Sequence, residues 1–160
     1  MTAEFLHTVA PGDGEAIWFL QTLMTVKASG AESGGAFSLI EVHYPPGFSP
    51  PVHLHHREDE SFYVLEGEVS FACGDETWTA RAGAFAVLPC GVAHGFTIGR
   101  DSPAKMLQMS SAPGLERFFR DAGVPARDRT LPPPGARPDP VLLNAAAERY
   151  GIELPKPPLP

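Results

Sequence analysis

Three imidazoles and a carboxylate, His53, His55, Glu60 and His94, lie in two short glycine-punctuated segments of this chain. The first runs from Gly47 through PPVHLHHREDE to Gly67, and the second from Gly83 through VLPCGVAH to His94. Imidazole nitrogen and carboxylate oxygen together suit one divalent metal drawn from Fe, Mn, Ni, Zn, Co or Cu. His53 and His55 are two residues apart, so on a strand both side chains point to one face. Glu60 follows the polar stretch His56 to Asp59, and a turn into a neighbouring antiparallel strand would return it beside the pair. Phe62 and Val64 would share its face by alternation. His94 follows the turn Pro89-Cys90-Gly91, and Phe96 and Ile98 point where it points. Three nitrogens and one oxygen leave one or two coordination positions open, which separates a catalytic metal site from a structural one. Phe62, Val64, Phe96 and Ile98 are then the candidate substrate-contacting wall. Such an apolar wall is expected to raise the pKa of Glu60 towards that of a useful general base.

Other polar residues compete for these roles with less support. Glu58 and Asp59 are rival carboxylates, but the position of Glu60 at the start of the apolar run SFYVL favours it and leaves the other two as solvated turn charges. His56 follows His55 directly and reads as a loop residue, His43 as a strand surface residue, and His7 has no partner by spacing. Cys73 and Cys90 are too few for a disulfide framework and read as small buried residues, with packing favoured over a ligand or nucleophile role for Cys90.

The elements that must position the four residues are short strands. Turn chemistry at Ser33-Gly34-Gly35, Pro45-Pro46-Gly47, Glu66-Gly67, Gly74-Asp75, Arg81-Ala82-Gly83 and Pro89-Cys90-Gly91 divides the chain from Ile17 to Ser110. The strands between are Ile17 to Val26, Ala36 to Tyr44, Ser61 to Leu65, Glu68 to Cys73, Thr77 to Ala80, Ala84 to Leu88, His94 to Ile98 and Ala104 to Met109. Many short strands at this spacing predict a sandwich or barrel, with Leu65 to Val69 as its clearest hairpin. Beyond Ser110 the composition changes: ten of the 18 prolines follow residue 120, which argues against a continuing sheet. Two helices fit there. One is LERFFRDAG, with Pro113 in its first turn and Gly123 as its stop; the other is VLLNAAAERYG, started by Asp139-Pro140 and stopped by Gly151. DRTLPPPGARP and the terminal LPKPPLP are expected to be extended. The tail should pack on the outside of the barrel or near its mouth, as a brace in preference to a lid.

Bulk properties narrow the function classes. A chain of 160 residues suits one compact fold, here a domain over residues 1–110 with an N-terminal strand extension and a tail over 111–160 packed on it. The net charge of -7 with only three lysines offers nothing to a nucleic-acid backbone, and the scarcity of cations near the histidines argues against a phosphorylated substrate. Apolar runs such as IWFL and AFAVL are too short to span a bilayer, and MTAEFLHTVA lacks the features of a signal peptide, so the expected location is the cytoplasm with no membrane partner.

With these residues in view, the chain resembles the cupin family. The first cupin motif is matched at every fixed position by Gly47, His53, His55, Glu60 and Gly67. The second is matched at Gly83, Pro89, Gly91 and His94, whereas Ile98 stands where asparagine is expected. The resemblance spans about residues 36 to 110. It implies an all-β fold, a jelly-roll β-barrel, here with a short helical and proline-rich C-terminal tail. It also implies a divalent metal inside the barrel and a homodimer. The tail pattern is similar to small bacterial single-domain cupins described as quercetin dioxygenase-like. The function expected first is a metal-dependent dioxygenase on a small enol, phenol or dicarbonyl compound, with Glu60 as ligand or catalytic base. Non-redox isomerase, cyclase or lyase chemistry and a non-enzymatic small-molecule-binding module are the alternatives, since this fold carries many reactions.

Overall fold

A computed structural model describes residues 6–155. The expected strand Ile17 to Val26 is a hairpin of β1 (Glu15–Phe19) and β2 (Thr22–Ala28), because Leu20 takes a positive φ of 54° and turns the chain within an apolar run that carries no glycine signal. There follow β3 (Ser38–Tyr44), β4 (Leu54–His55), β5 (Glu60–Glu66), β6 (Glu68–Cys73), β7 (Glu76–Arg81), β8 (Phe85–Leu88), β9 (His94–Ile98) and β10 (Ala104–Ser110). Then come α1 (Leu115–Ala122), β11 (Val124–Pro125), α2 (Pro140–Tyr150) and β12 (Ile152–Glu153). Seven strands form one sheet in the order β11-β1-β2-β3-β10-β5-β8, and β7-β6-β9 form another. The inner faces meet over a core in which Ile40, Val42, Phe62, Val64, Phe71, Leu88, Ile98 and Met106 are sealed from solvent. Period-2 alternation accounts for the facing: in β3, Ser38, Ile40, Val42 and Tyr44 are buried while their neighbours are partly exposed.

Gly67 was expected at a hairpin tip, but β5 and β6 belong to different sheets. Gly67 is the corner at which the chain crosses between them, with φ of 86° and so little room that a Cβ would lie 2.6 Å from the Pro103 carbonyl oxygen. A closed hairpin does form one step later, between β6 and β7 around Gly74-Asp75.

The tail departs from expectation in three details. Pro113 lies outside α1, whose N-cap is Gly114; the buried Glu116 carboxylate accepts from Gly114 N at 3.0 Å and from Gly30 N at 3.1 Å, pinning the helix start to the end of β2. Sheet structure also resumes beyond Ser110: β11 adds to the β1 edge, where its proline costs no ladder bond, and the proline-free β12 pairs with β4. The linker bends at residues 127–130 and turns at Pro134-Gly135. Residues 156–160 of the expected extended LPKPPLP lie outside the described residues. Elsewhere the helix signals hold: Asp139 caps α2 by accepting from Val141 N at 2.8 Å, Pro140 opens it, and Gly151 ends it at φ of 72°. Asp121 on α1 joins the two helices, accepting from Arg149 at 3.1 Å and from the Tyr150 hydroxyl at 2.9 Å. Among the described residues no helix is long and apolar enough to cross a membrane.

Candidate metal centre

His53 and His94 sit side by side through a pair of backbone hydrogen bonds, His53 N to His94 O at 2.9 Å and His94 N to His53 O at 2.8 Å. His55 lies two residues on, in β4, and its side chain enters the same space. Glu60 comes from across the barrel: it opens β5, opposite Leu88 on β8 and Ser110 on β10. Its strand is therefore not the neighbour of the histidine pair, as the sequence suggests, and the four residues meet through the interior. One ligand atom from each of His53, His55, Glu60 and His94 lies within 4.8 Å of all the others.

Outward hydrogen bonds fix how the rings present themselves. Nδ1 of His53 bonds Pro51 O at 3.1 Å, Nδ1 of His55 bonds Glu58 Oε1 at 2.7 Å, and Nδ1 of His94 bonds Val92 O at 2.9 Å. All three partners are acceptors, so each Nδ1 donates outward and each Nε2 faces inward, where it can offer a lone pair to a metal or a proton to Glu60. There Nε2 of His94 is 3.2 Å from Glu60 Oε2, and Nε2 of His53 and of His55 are each 3.8 Å from a Glu60 oxygen. His55 Nε2 is buried with no hydrogen-bond partner. Three inward ring nitrogens around a buried carboxylate need protons or a cation between them, and this donor set fits a divalent metal.

Electrostatics differ from the expectation for Glu60. Burial pushes its pKa up, but hydrogen bonds to His53 and His94 and the charges of His55 and His53 outweigh it and hold the carboxyl well below its usual range. His53 moves the other way: burial lowers its pKa, and the hydrogen bond and charge of Glu60 more than restore it. Gln108 on β10 donates its side-chain N–H to Glu60 Oε1. Glu58 is corrected as well. It is buried against His55, the orienting partner of a ring nitrogen, and is no solvated turn charge. Asp59 accepts from Cys90 N at 2.8 Å and so ties the two motif segments together. Cys90 is exposed and Cys73 is partly buried, against the expectation that both are buried. His56 and His43 stay out of the cluster, pairing with Glu153 at 3.0 Å and Glu41 at 3.3 Å.

Above the cluster lies a cavity of about 280 Å³. Of the four expected wall residues only Phe96 lines it; Phe62, Val64 and Ile98 lie deeper, packed in the core between the sheets. The tail supplies much of the remaining wall. Phe118 and Phe119 of α1 and Leu143 of α2 all face the cavity. The far end of the tail is bound to the metal segment itself, Ile152 pairing with His55. Sequence reasoning missed Glu58, Gln108, Tyr44 and Phe48; Gln108 alone carried a signal, as a polar residue at an inward position of the apolar strand AKMLQMS.

Comparison with known proteins places this geometry among relatives. A family model described as a cupin domain matches residues 40–110. A quercetin 2,3-dioxygenase of Bacillus subtilis (strain 168) is 28% identical over 90 residues, 56% of this chain. The match covers 27% of that relative, so the chain spans about a quarter of its length. An RmlC-like cupin from Shewanella frigidimarina superposes with a TM-score of 0.59 at 17% identity, covering 71% of this chain and 96% of the other. The polyketide cyclase RemF from Streptomyces resistomycificus gives 0.51 at 23% identity, covering 67% and 73%. At these identities the structural likenesses establish a common fold.

Proposed function

We propose that this chain, which matches a cupin domain over residues 40–110 and carries a His/Glu cluster able to hold a metal, is a metal-dependent oxidoreductase of dioxygenase type, acting on a small enol, phenol or dicarbonyl compound. The observation that carries this is the orientation of three Nε2 atoms and Glu60 toward one point at the floor of an apolar cavity. His53, His55, Glu60 and His94 would hold the metal, drawn from Fe, Mn, Ni, Zn, Co or Cu. Bound there, the metal supplies Lewis acidity for an enol or phenol oxygen and a redox partner for dioxygen. Glu60 is the proton acceptor. The Gln108 amide steadies Oε1, and Oε2, which faces the imidazoles, would either complete the metal's ligand set or take the proton of the arriving hydroxyl. Phe96 contacts the substrate ring, while Phe62, 5.4 Å away between centroids, backs it from the core. The helical tail keeps water from the reacting centre. The dioxygenase relative supports this direction of chemistry.

Protein isolated under anaerobic conditions and analysed for metals should contain Fe, Mn, Ni, Co or Cu. The loaded protein should then consume O₂ with at least one member of an enol, phenol and dicarbonyl panel. Turnover that proceeds equally without O₂ would overturn the oxidative reading in favour of isomerase, cyclase or lyase chemistry. Ligand binding without turnover under any metal would mark a binding module. The protein is further proposed to act in the cytoplasm as a homodimer. The dimer is supported by an apolar patch on the outer face of β10, β5 and β8, where Met109, Tyr63, Phe85 and Val87 are exposed.

A further inference from the structure

Tyr44, the last residue of β3, is 2% exposed, and its ring packs against Phe48 and Phe96 at centroid distances of 5.4 and 5.3 Å. A buried tyrosine normally finds a hydrogen-bond partner for its O–H. Tyr44 has no such partner among the described residues, nor is its oxygen sealed in the core: the residue lines the cavity above Glu60. Burial, and then the charge of Glu60, hold its pKa well above the ordinary phenol range, so the group stays a donor. The Glu60 oxygens are already engaged, Oε1 by Gln108 and Oε2 by His94 Nε2 at 3.2 Å. Apart from the histidines, Glu60, Gln108 and the exposed Asn144, the lining is hydrocarbon. Tyr44, Phe48 and Phe96 form one aromatic cluster on the wall, and Phe19, Phe118 and Phe119 form another, with centroids 5.1 to 5.5 Å apart.

We infer that Tyr44 is a ligand-contacting residue whose hydroxyl donates a hydrogen bond to an oxygen of a compact ring compound bound between the two aromatic clusters. An oxygen on the ring satisfies this donor in a largely apolar cavity, and the flat body matches aromatic walls that favour edge and offset contacts. At about 280 Å³ the cavity stands near the lower limit of small-molecule sites, roughly 300–1,000 Å³, which selects one or two rings. The inference rests on the reading of this cavity as the substrate site.

Tyr44→Phe removes one oxygen atom and keeps the ring packing. The test loads wild type and Y44F with Co(II), compares metal content and the visible Co(II) spectrum, and titrates both with catechol and with toluene. Catechol should bind Y44F about tenfold more weakly, the loss of one neutral hydrogen bond, while toluene affinity, metal content and melting temperature stay equal. Equal catechol affinity in the two proteins overturns the inference. So does loss of metal or of folding in Y44F, which would make Tyr44 a structural residue. If the wild-type Co(II) protein binds no catechol at all, it is the oxygen-ligand reading of the whole site that fails.

Discussion

Glu58 shows how much of a metal site rests on residues that never touch the metal. Its carboxylate accepts the His55 Nδ1 proton at 2.7 Å while almost fully buried, which fixes the tautomer and the aim of that ring. Removing such a partner typically weakens metal binding by 10- to 100-fold. Glu58→Ala is therefore expected to lose affinity by about that factor in a chelator competition, with Glu58→Gln losing less because its carbonyl still accepts from Nδ1. Neither variant should disturb His53 or His94, whose Nδ1 atoms bond to backbone carbonyls. The four cluster residues were legible from type and spacing, because alternation on a strand is a local rule. The role of Glu58 was not, since whether a turn carboxylate faces water or an imidazole depends on how the turn folds back.

Among the elements, the turn at Gly67 and the helical tail matter most. Gly67 and Gly83 both hold positive φ, 86° and 90°, yet a Cβ at Gly67 meets backbone at 2.6 Å whereas at Gly83 it meets nothing within 4 Å. Both alanine variants carry the left-handed strain of about 1 kcal/mol. Urea unfolding should show Gly67→Ala clearly more destabilised than Gly83→Ala, the difference reporting the sheet-to-sheet crossing. The tail is held by α2, whose start depends on Asp139. Asp139→Ala is expected to cost about 1 kcal/mol, measured by the same unfolding, and to increase amide exchange over α2. Both helices were legible from their caps and stops. That their apolar residues line the cavity was not, because Leu115, Phe118 and Phe119 indicate a buried side without naming what it covers.

For the whole molecule, metal and assembly should both register as stability. A metal at 100 times its dissociation constant adds about 2.7 kcal/mol, so wild type should melt several degrees higher with metal than after chelation, and His55→Ala should lose that difference. If two copies meet on the exposed face of β10, β5 and β8, Phe85→Glu places a charge in the contact. Sedimentation of this variant should then show a monomer where wild type sediments as a dimer. By itself the sequence determined the His/Glu cluster, the strand periodicity and the helix limits, because these follow from residue type and from neighbours a few positions away. Only the tertiary structure decided that Glu60 reaches the histidines from across the barrel. It also decided that their nearness lowers the Glu60 pKa, where an apolar wall alone would raise it. Phe62, Val64 and Ile98 share a strand face with the ligands yet lie below the cavity, and its walls come instead from Tyr44, Phe96 and the tail. Alternation settles which way a side chain points; depth along the barrel and the sum of opposing fields depend on elements far apart in the chain.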